Sequence, residues 1–467
     1  MRIPFPDHVP PARDLGAVHF VGIGGAGLSA IARIMSQQGL AVSGSDTADS
    51  AVVQALRAEG ITCFIGHDAA HLEGIQTVIA STAVREDNAE IVEAQRLGLR
   101  LWPRSAGMRA LMADRRTIAV AGTHGKTTTT AMLTCALIAA GAKPSFAIGA
   151  QVASLGVNAR LGRGDLFVAE ADESDGAFLH YSPEGAIVTN VDADHLDNYG
   201  TIEAYAAAFD EFVASIGGFL VLDVDDEGAR ALIGPARERE LEVLRVGFDE
   251  EADLQGRDLV IEGSTSTFSA SLHGVDLGPV HLAVPGAHYA KDALLALGAG
   301  LLDGHHVDLL VAGLAAYTGA DRRMQLLGSA AEVRVYDSYA HHPTEIRADL
   351  AAARAIAAGD RLVVAYQPHL VSRTRLYGVE MGEALSAADR VVVADIYLAR
   401  EDADPTVTAA LIVDAVDGPP ASAGGPVDGL AQVLLSELRA GDLLLTLGAG
   451  DITTVGPAVL AGLQERG

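Results

Sequence analysis

Cysteine is nearly absent: Cys63 and Cys135 are the two in 467 residues, both in apolar stretches. Both read as small core residues of a chain in a reducing compartment rather than as a disulfide. Tryptophan occurs once, and Trp102 reads as a core or edge residue. Positive charge is scarce, with 33 Lys and Arg against 61 Asp and Glu and a formal net charge of -28 at pH 7. Such a balance argues against general binding to nucleic acid or to an anionic membrane. Anionic substrates stay open, because Lys, Arg and Mg²⁺ reverse the sign inside a cleft. No apolar run reaches membrane-spanning length free of polar breaks. The opening Met1-Arg2-Ile3-Pro4-Phe5-Pro6 has no apolar signal region, so the expectation is a cytoplasmic chain. What is present is ordinary for a soluble globular protein, 49% hydrophobic and 20% charged. The length suggests about three domains, each able to bury a core.

The stretch Gly122-Thr123-His124-Gly125-Lys126-Thr127-Thr128 organises the reading. An apolar run, Thr117 to Ala121, predicts a buried strand, and Ala131 to Ala140 predicts a helix. Strand, glycine turn, lysine, hydroxyl and helix together are a recipe for holding a triphosphate. Glycines let backbone N–H groups close on phosphate oxygens, and a helix N-terminus adds partial positive charge. Lys126 is placed to reach the outer phosphates and the Thr127 hydroxyl to sit on Mg²⁺. The usual spacing puts a glycine six residues before the lysine. Val120 stands there, so Gly122 must serve instead.

A second glycine turn comes earlier. Gly22-Ile23-Gly24-Gly25-Ala26-Gly27 lies between a short apolar strand and a helical pattern from Leu28 to Gln38. Ala41 to Asp46 then reads as a strand ending in an acid. This is the dinucleotide-fold fingerprint, with Asp46 near the expected ribose position, although other diphosphate ligands use the same turn. Strands are also predicted over Thr77 to Ser81 and Leu99 to Trp102. Arg115-Arg116 marks a junction. Beyond it, Asp165 to Ala169 and Ala186 to Val188 lead into the acid-rich Glu170-Ala171-Asp172-Glu173-Ser174-Asp175 and Asp192-Ala193-Asp194-His195. Acids at the carboxyl ends of parallel strands face the ligand crevice and suit a magnesium–nucleotide site.

Pro285-Gly286 breaks the chain before an apolar helix to Leu301, and Tyr317 to Arg323 reads as a hinge. The last unit alternates again. Its expected strands are Glu332 to Tyr336, Arg361 to Tyr366, Arg390 to Ala394 and Asp442 to Leu447, with a helix to about Ala357. Asp417 to Gly425 reads as a loop. Arg322-Arg323 after the glycine turn is a candidate phosphate clamp.

Taken in order, these stretches resemble the Mur ligases of bacterial cell-wall synthesis. The carrying motifs also include Gly44-Ser45-Asp46, Thr189-Asn190, Asp337 with Tyr339-Ala340-His341-His342-Pro343-Thr344-Glu345, and Gln367-Pro368-His369 with Arg373. They span nearly the whole chain. The resemblance implies an α/β protein of three domains. These are an N-terminal Rossmann-like domain for a UDP-sugar (1–114), a central P-loop ATPase-like domain with a parallel sheet (115–318) and a C-terminal Rossmann-like domain (319–467). It implies ATP-dependent joining of an amine to a carboxylate through an acyl phosphate, in peptidoglycan precursor synthesis. It also implies Mg²⁺ or Mn²⁺ as cofactor, small-molecule substrates, and a monomer or weak homodimer.

By the same resemblance Gly22, Gly24, Gly25, Ala26, Gly27, Ser45 and Asp46 line the UDP-sugar pocket. The ATP site draws on Gly122, Thr123, His124, Gly125, Lys126, Thr127 and Thr128, with His288, Asp292, Arg323 and Asp337. Thr127, Glu173 and His195 resemble metal ligands. Lys126, His195, His342 and Arg373 resemble catalytic residues, with His341 nearby and Arg373 holding the carboxylate of the amino acid. Three departures stand out. Tyr289 and Asp292 occupy places where the family commonly carries asparagines near the adenine. Ser338 stands where a second aspartate is common, and Leu28 replaces a frequent methionine. Ala206-Ala207-Ala208-Phe209 lacks the lysine that later-step ligases carry after their His-Leu-Asp stretch, which favours the step joining L-alanine to UDP-N-acetylmuramate. Three alternatives stay open: a ligase reattaching a recycled peptide to UDP-N-acetylmuramate, a nicotinamide-dependent oxidoreductase built on the Gly22 turn, and a nucleotide-gated binding protein without turnover.

Overall fold

The computed structural model describes residues 3–81, 84–399 and 401–465. Its first sheet comprises β1 (Val18–Val21), β2 (Val42–Asp46), β3 (Thr62–Ile65), β4 (Thr77–Ala80) and β5 (Arg100–Pro103). All pairings are parallel, in the order β3-β2-β1-β4-β5. β1 and β4 are buried at every position, as central strands of a parallel sheet covered on both faces are. The order reverses between β1 and β4, where an open parallel sheet leaves its ligand crevice. Trp102 is a core residue.

The second sheet contains β6 (Arg116–Ala121), β7 (Ser145–Val152), β8 (Val157–Arg160), β9 (Leu166–Glu170), β10 (Gly185–Val188), β11 (Phe219–Asp223), β12 (Glu242–Gly247), β13 (Leu254–Glu262), β14 (Thr265–Leu272) and β15 (Val275–Leu282). Their order is β15-β14-β13-β12-β11-β10-β6-β9-β7-β8. The centre is parallel, and β8 pairs antiparallel at one edge. The helix after β6 runs Lys126–Ala139 and starts five residues before the position expected from apolar spacing. Four consecutive β-branched threonines hide that start. They are tolerated because all are buried, and Thr130 and Thr134 return their hydroxyls to carbonyls four residues back at 2.6 and 2.7 Å.

The third sheet holds β16 (Gln325–Ala330), β17 (Val333–Ser338), β18 (Leu362–Tyr366), β19 (Arg390–Ala394), β20 (Ala421–Gly425) and β21 (Leu443–Leu447), in the order β16-β17-β21-β18-β19-β20. Only β16 pairs antiparallel. Two expectations are corrected here. The stretch Asp417 to Gly425 is not wholly loop: its last five residues form the edge strand β20. Small residues and glycines behind two prolines mask it, and an edge strand tolerates them. Asp337 lies within β17 rather than after it.

Contacts divide the chain into two compact units. One is Met1–Gly256 with Ala270–Gly278 and Lys291–Ala316; the other is Arg257–Ser269 with Pro279–Ala290 and Tyr317–Gly467. Within the first, a single apolar cluster runs from Leu15, Ile31 and Met108 beside the first sheet to Phe178, Phe209 and Phe212 beside the second. The two glycine turns therefore stand on one continuous core. Cys63 and Cys135 are free and buried.

Candidate active site

Each turn is built by the strand that precedes it. After β1, Gly22 takes φ +86°, a conformation glycine adopts at low cost. The N–H groups of Gly22 and Ile23 both donate to the Ser45 carbonyl, at 2.8 and 3.0 Å. The Gly24 N–H donates to Asp46 Oδ2 at 2.8 Å. Gly25 caps the helix Ala26–Gln37. A Cβ on Gly27 would stand 2.8 Å from Arg104 Cδ. The Asp46 carboxylate, matched by spacing to a ribose, is engaged in shaping the turn.

The second turn follows β6. Gly122 takes φ +132° and Gly125 φ +80°. The Thr123 and His124 N–H groups donate to Asn190, through its carbonyl at 3.0 Å and its Oδ1 at 2.8 Å. Thr189 Oγ1 donates to the His124 carbonyl at 2.6 Å. The end of β10 thus clamps the loop leaving β6. Thr128 is buried in the first helical turn.

Lys126 folds back over this loop. Its Nζ donates to the carbonyls of Gly122 and Thr123 at 2.8 and 3.0 Å, and to Glu173 Oε1 at 2.8 Å. Burial disfavours its charge, but Glu173 and Asp172 outweigh that and raise its pKa. Thr127 Oγ1 donates to Glu170 Oε1 at 3.0 Å. His195 Nε2 lies 3.3 Å from Glu173 Oε1 and 3.8 Å from Asp194 Oδ2. Burial again opposes charge on His195, and these carboxylates again win and raise its pKa. Lys126, Glu173 and His195, named from sequence, therefore form one cluster, and Thr127 is held by the neighbouring Glu170. Asp292 reaches the same turn: its Oδ1 accepts from Thr129 Oγ1 at 3.0 Å, and a Cβ on Gly125 would meet it at 2.6 Å.

The other unit assembles the remaining expected residues. Asp337 is fully buried and accepts from Thr446 and Thr453 hydroxyls at 2.6 and 2.8 Å. Arg322 and Arg323 lie over the Tyr339 ring, 4.9 and 5.2 Å from its centroid. Arg322 donates to the carbonyls of Gly448 and Gly450, at the end of β21. His342 caps the helix Pro343–Ala357, and Glu345 closes the capping box while also accepting from the His341 N–H at 3.0 Å. One carboxylate therefore fixes both histidines. Arg373 is buried, with an NH1 3.3 Å from His369 Nδ1. His288 is pushed down to about 4 by burial and then by the Arg323 charge, so its ring is neutral near pH 7.

A lysine turn facing clustered acids on one unit, and an arginine–histidine rim on the other, invite comparison with known proteins. Models of the Mur ligase family match in succession: the catalytic domain over residues 17–116, the middle domain over 120–300 and the glutamate ligase domain over 322–450. The chain belongs to the Mur ligase family. It is 56% identical to a UDP-N-acetylmuramate–L-alanine ligase of Nocardioides sp., over 99% of this chain and 100% of that one. It is 50% identical to the protein of that name from Kineococcus radiotolerans, over 97% of each. Among solved structures it resembles the UDP-N-acetylmuramate-alanine ligase of Thermotoga maritima, with a TM-score of 0.83 and 28% identity over 97% of this chain and all of that one.

Several residues of this Mur ligase site escape a reading of motifs. Arg104 donates to Asp172 Oδ2 at 2.8 Å and lies 3.5 Å from Asp175 Oδ2, so it joins the Gly27 turn to the acidic end of β9. Burial opposes its charge, and Asp172 and its neighbours more than restore it. Ser338 donates to buried Asp349, whose carboxyl is pushed up to about 7, mainly by burial. The aspartate missing at 338 is answered by a carboxyl across the helix, which no local spacing reveals.

Proposed function

We propose that this chain joins L-alanine to the lactyl carboxylate of UDP-N-acetylmuramate, using ATP, in peptidoglycan precursor synthesis. End-to-end similarity to the alanine ligases carries this reading, because the lysine turn alone serves every step of the family. The chemistry fits the residues. A carboxylate is a poor electrophile, so its oxygen must become a better leaving group. Transfer of the γ-phosphoryl group to that oxygen makes an acyl phosphate; the alanine amine attacks its carbonyl carbon, and phosphate leaves with the bonding pair. Carboxylate and phosphate repel each other, and Lys126 offsets that charge at the moment of transfer.

Thr127, Glu173 and His195 present hydroxyl, carboxylate and imidazole donors in one acidic pocket, a set that suits Mg²⁺ or Mn²⁺. Held there, the ion would supply charge neutralisation for the phosphates. In this reading the Gly22 turn, with Ala26, Ser45 and Asp46, takes the UDP-sugar. Gly122 to Thr128 cradles the phosphates. His288, Asp292, Arg323 and Asp337 serve the nucleotide, and His341, His342 and Arg373 serve the amino acid. The working divisions are 1–114, 115–318 and 319–467. The substrates are small molecules, and no described helix is long and apolar enough to cross a membrane.

The test is phosphate release with UDP-N-acetylmuramate and a panel of amino acids and peptides. Release requiring both ATP and L-alanine is expected. Release with a tripeptide and not with alanine would turn the assignment to peptide recycling, and release without any amine would defeat ligation.

A further inference from the structure

We infer that Glu90 is a positioning residue for the nucleotide-sugar pocket, acting through Ser45 on the Gly22 turn; this rests on the reading of that turn given above. Glu90 is fully buried, in the first turn of the helix Ala89–Leu97. Four polar side chains converge on its two oxygens. Ser45 Oγ donates to Oε2 at 2.5 Å, and His67 Nδ1 lies 2.9 Å from the same atom. His71 Nδ1 lies 2.7 Å from Oε1, and His19 Nε2 lies 3.3 Å from it. Phe64 stacks on His71 at 3.9 Å, and Ser43 holds the other nitrogen of His19 at 2.8 Å.

Three imidazoles and a carboxylate suggest a metal centre, and the distances decide against it. A tetrahedral ion with bonds of about 2.0 Å keeps its ligand atoms about 3.3 Å apart. The His67 and His71 contacts, at 2.9 and 2.7 Å, are shorter than that and are hydrogen bonds to a charged acceptor. The His19 contact alone, at 3.3 Å, matches the spacing, and one imidazole with one carboxylate does not make a tetrahedral set. Glu90 is thus the anionic hub of a polar network, placed where a helix N-terminus favours negative charge.

The network leads to the pocket through one residue. Ser45 is buried, and its hydroxyl is tied to Glu90. Its backbone carbonyl accepts from both Gly22 and Ile23. The next residue, Asp46, holds the Gly24 N–H. Glu90 therefore fixes the end of β2, and the end of β2 fixes the turn. Without the charge, one hydroxyl and three imidazoles compete for a weaker acceptor. The strand end then loosens, and the turn it braces misplaces the N-terminus of the helix Ala26–Gln37, the end that would face a diphosphate.

The experiment is titration calorimetry of UDP-N-acetylmuramate into Glu90→Gln without ATP, beside steady-state KM values for ATP and alanine. Sugar-nucleotide affinity should fall about tenfold or more, with the ATP KM within about twofold of wild type. Asn88→Ala provides the structural control. Asn88 Oδ1 caps the same helix by accepting from the Glu90 and Ile91 N–H groups, and these bonds leave the Glu90 carboxylate with Ser45. That variant should melt earlier yet bind the sugar nucleotide normally. Unchanged affinity in folded Glu90→Gln, or an equal rise in the ATP KM, would overturn the inference. Should Glu90→Gln not fold, Ser45→Ala breaks the same link, and normal affinity there would overturn it equally. A wild-type protein that binds no UDP-N-acetylmuramate would bring down the reading of the turn itself, and the Glu90 inference with it. Normal wild-type binding with an unaltered variant would remove the Glu90 role alone.

Discussion

The Gly22 and Lys126 turns share a plan and differ in how they carry charge. Both leave a buried parallel strand, use positive-φ glycine and open a helix. The first has no cation within it. Its N–H groups are arranged by the neighbouring strand, through the Ser45 carbonyl and the Asp46 carboxylate. The second carries Lys126, held among backbone carbonyls and Glu173. In the function proposed above, one turn is shaped to fit and the other is charged to act. Binding a diphosphate asks for oriented dipoles, whereas bringing a phosphate onto a carboxylate asks for a movable positive charge.

The sharpest way to break this contrast is Lys126→Ala. Turnover should drop by about three orders of magnitude or more, while binding of UDP-N-acetylmuramate and the circular-dichroism spectrum persist. Near-normal turnover would remove the distinction. Next is the pair Gly122→Ala and Gly22→Ala. A Cβ at Gly122 would lie 2.0 Å from Thr189 Oγ1 and 3.0 Å from its backbone nitrogen, but at Gly22 only 3.3 Å from Ser81 Cβ. Denaturant melts should show a loss of about 3 kcal/mol or more for the first and about 1–2 kcal/mol for the second.

Arg373→Ala lies outside both turns and should raise the alanine KM by about tenfold, well above any change for ATP. Arg104→Ala probes the link between the turns. Because Arg104 touches Gly27 and Asp172 together, the KM values for sugar nucleotide and ATP should both rise several-fold. A change in one alone would show the turns to be independent.

The last effect shows only in acid, as a pH dependence at the support of the first turn. Burial alone would raise the Glu90 pKa. The nearby His19 ring, with hydrogen bonds from Ser45 and His71, overcomes that and holds it at about 2, against 4.5 unperturbed. A depressed carboxylate adds stability that is complete above its unfolded pKa and is lost as pH falls through the folded one. Wild type should therefore lose an increment over Glu90→Gln of up to about 3 kcal/mol between pH 4.5 and 2, read from paired urea melts. Parallel curves would contradict it.

Much of the frame was open to inspection in the residues. Strands buried on both faces announced themselves as short apolar runs, and glycines marked both turns. Lys126 and Thr127 were legible because the phosphate recipe is local: the groups that cooperate are neighbours in the chain. Edge elements were harder. β20 reads as loop because an exposed edge does not demand apolar alternation, and the Lys126 helix hid its first turn behind threonines that only burial makes tolerable.

Chain order alone settled the three-sheet α/β plan and the kind of chemistry, since strand periodicity, glycine placement and motif succession are one-dimensional properties. Folding was needed to choose partners for the charges. Arg104 meets Asp172 across 68 positions, Glu90 gathers His19, Ser45, His67 and His71, and Ser338 is answered by Asp349. A buried charge must find compensation wherever packing brings it, and packing distance has no fixed relation to distance along the chain.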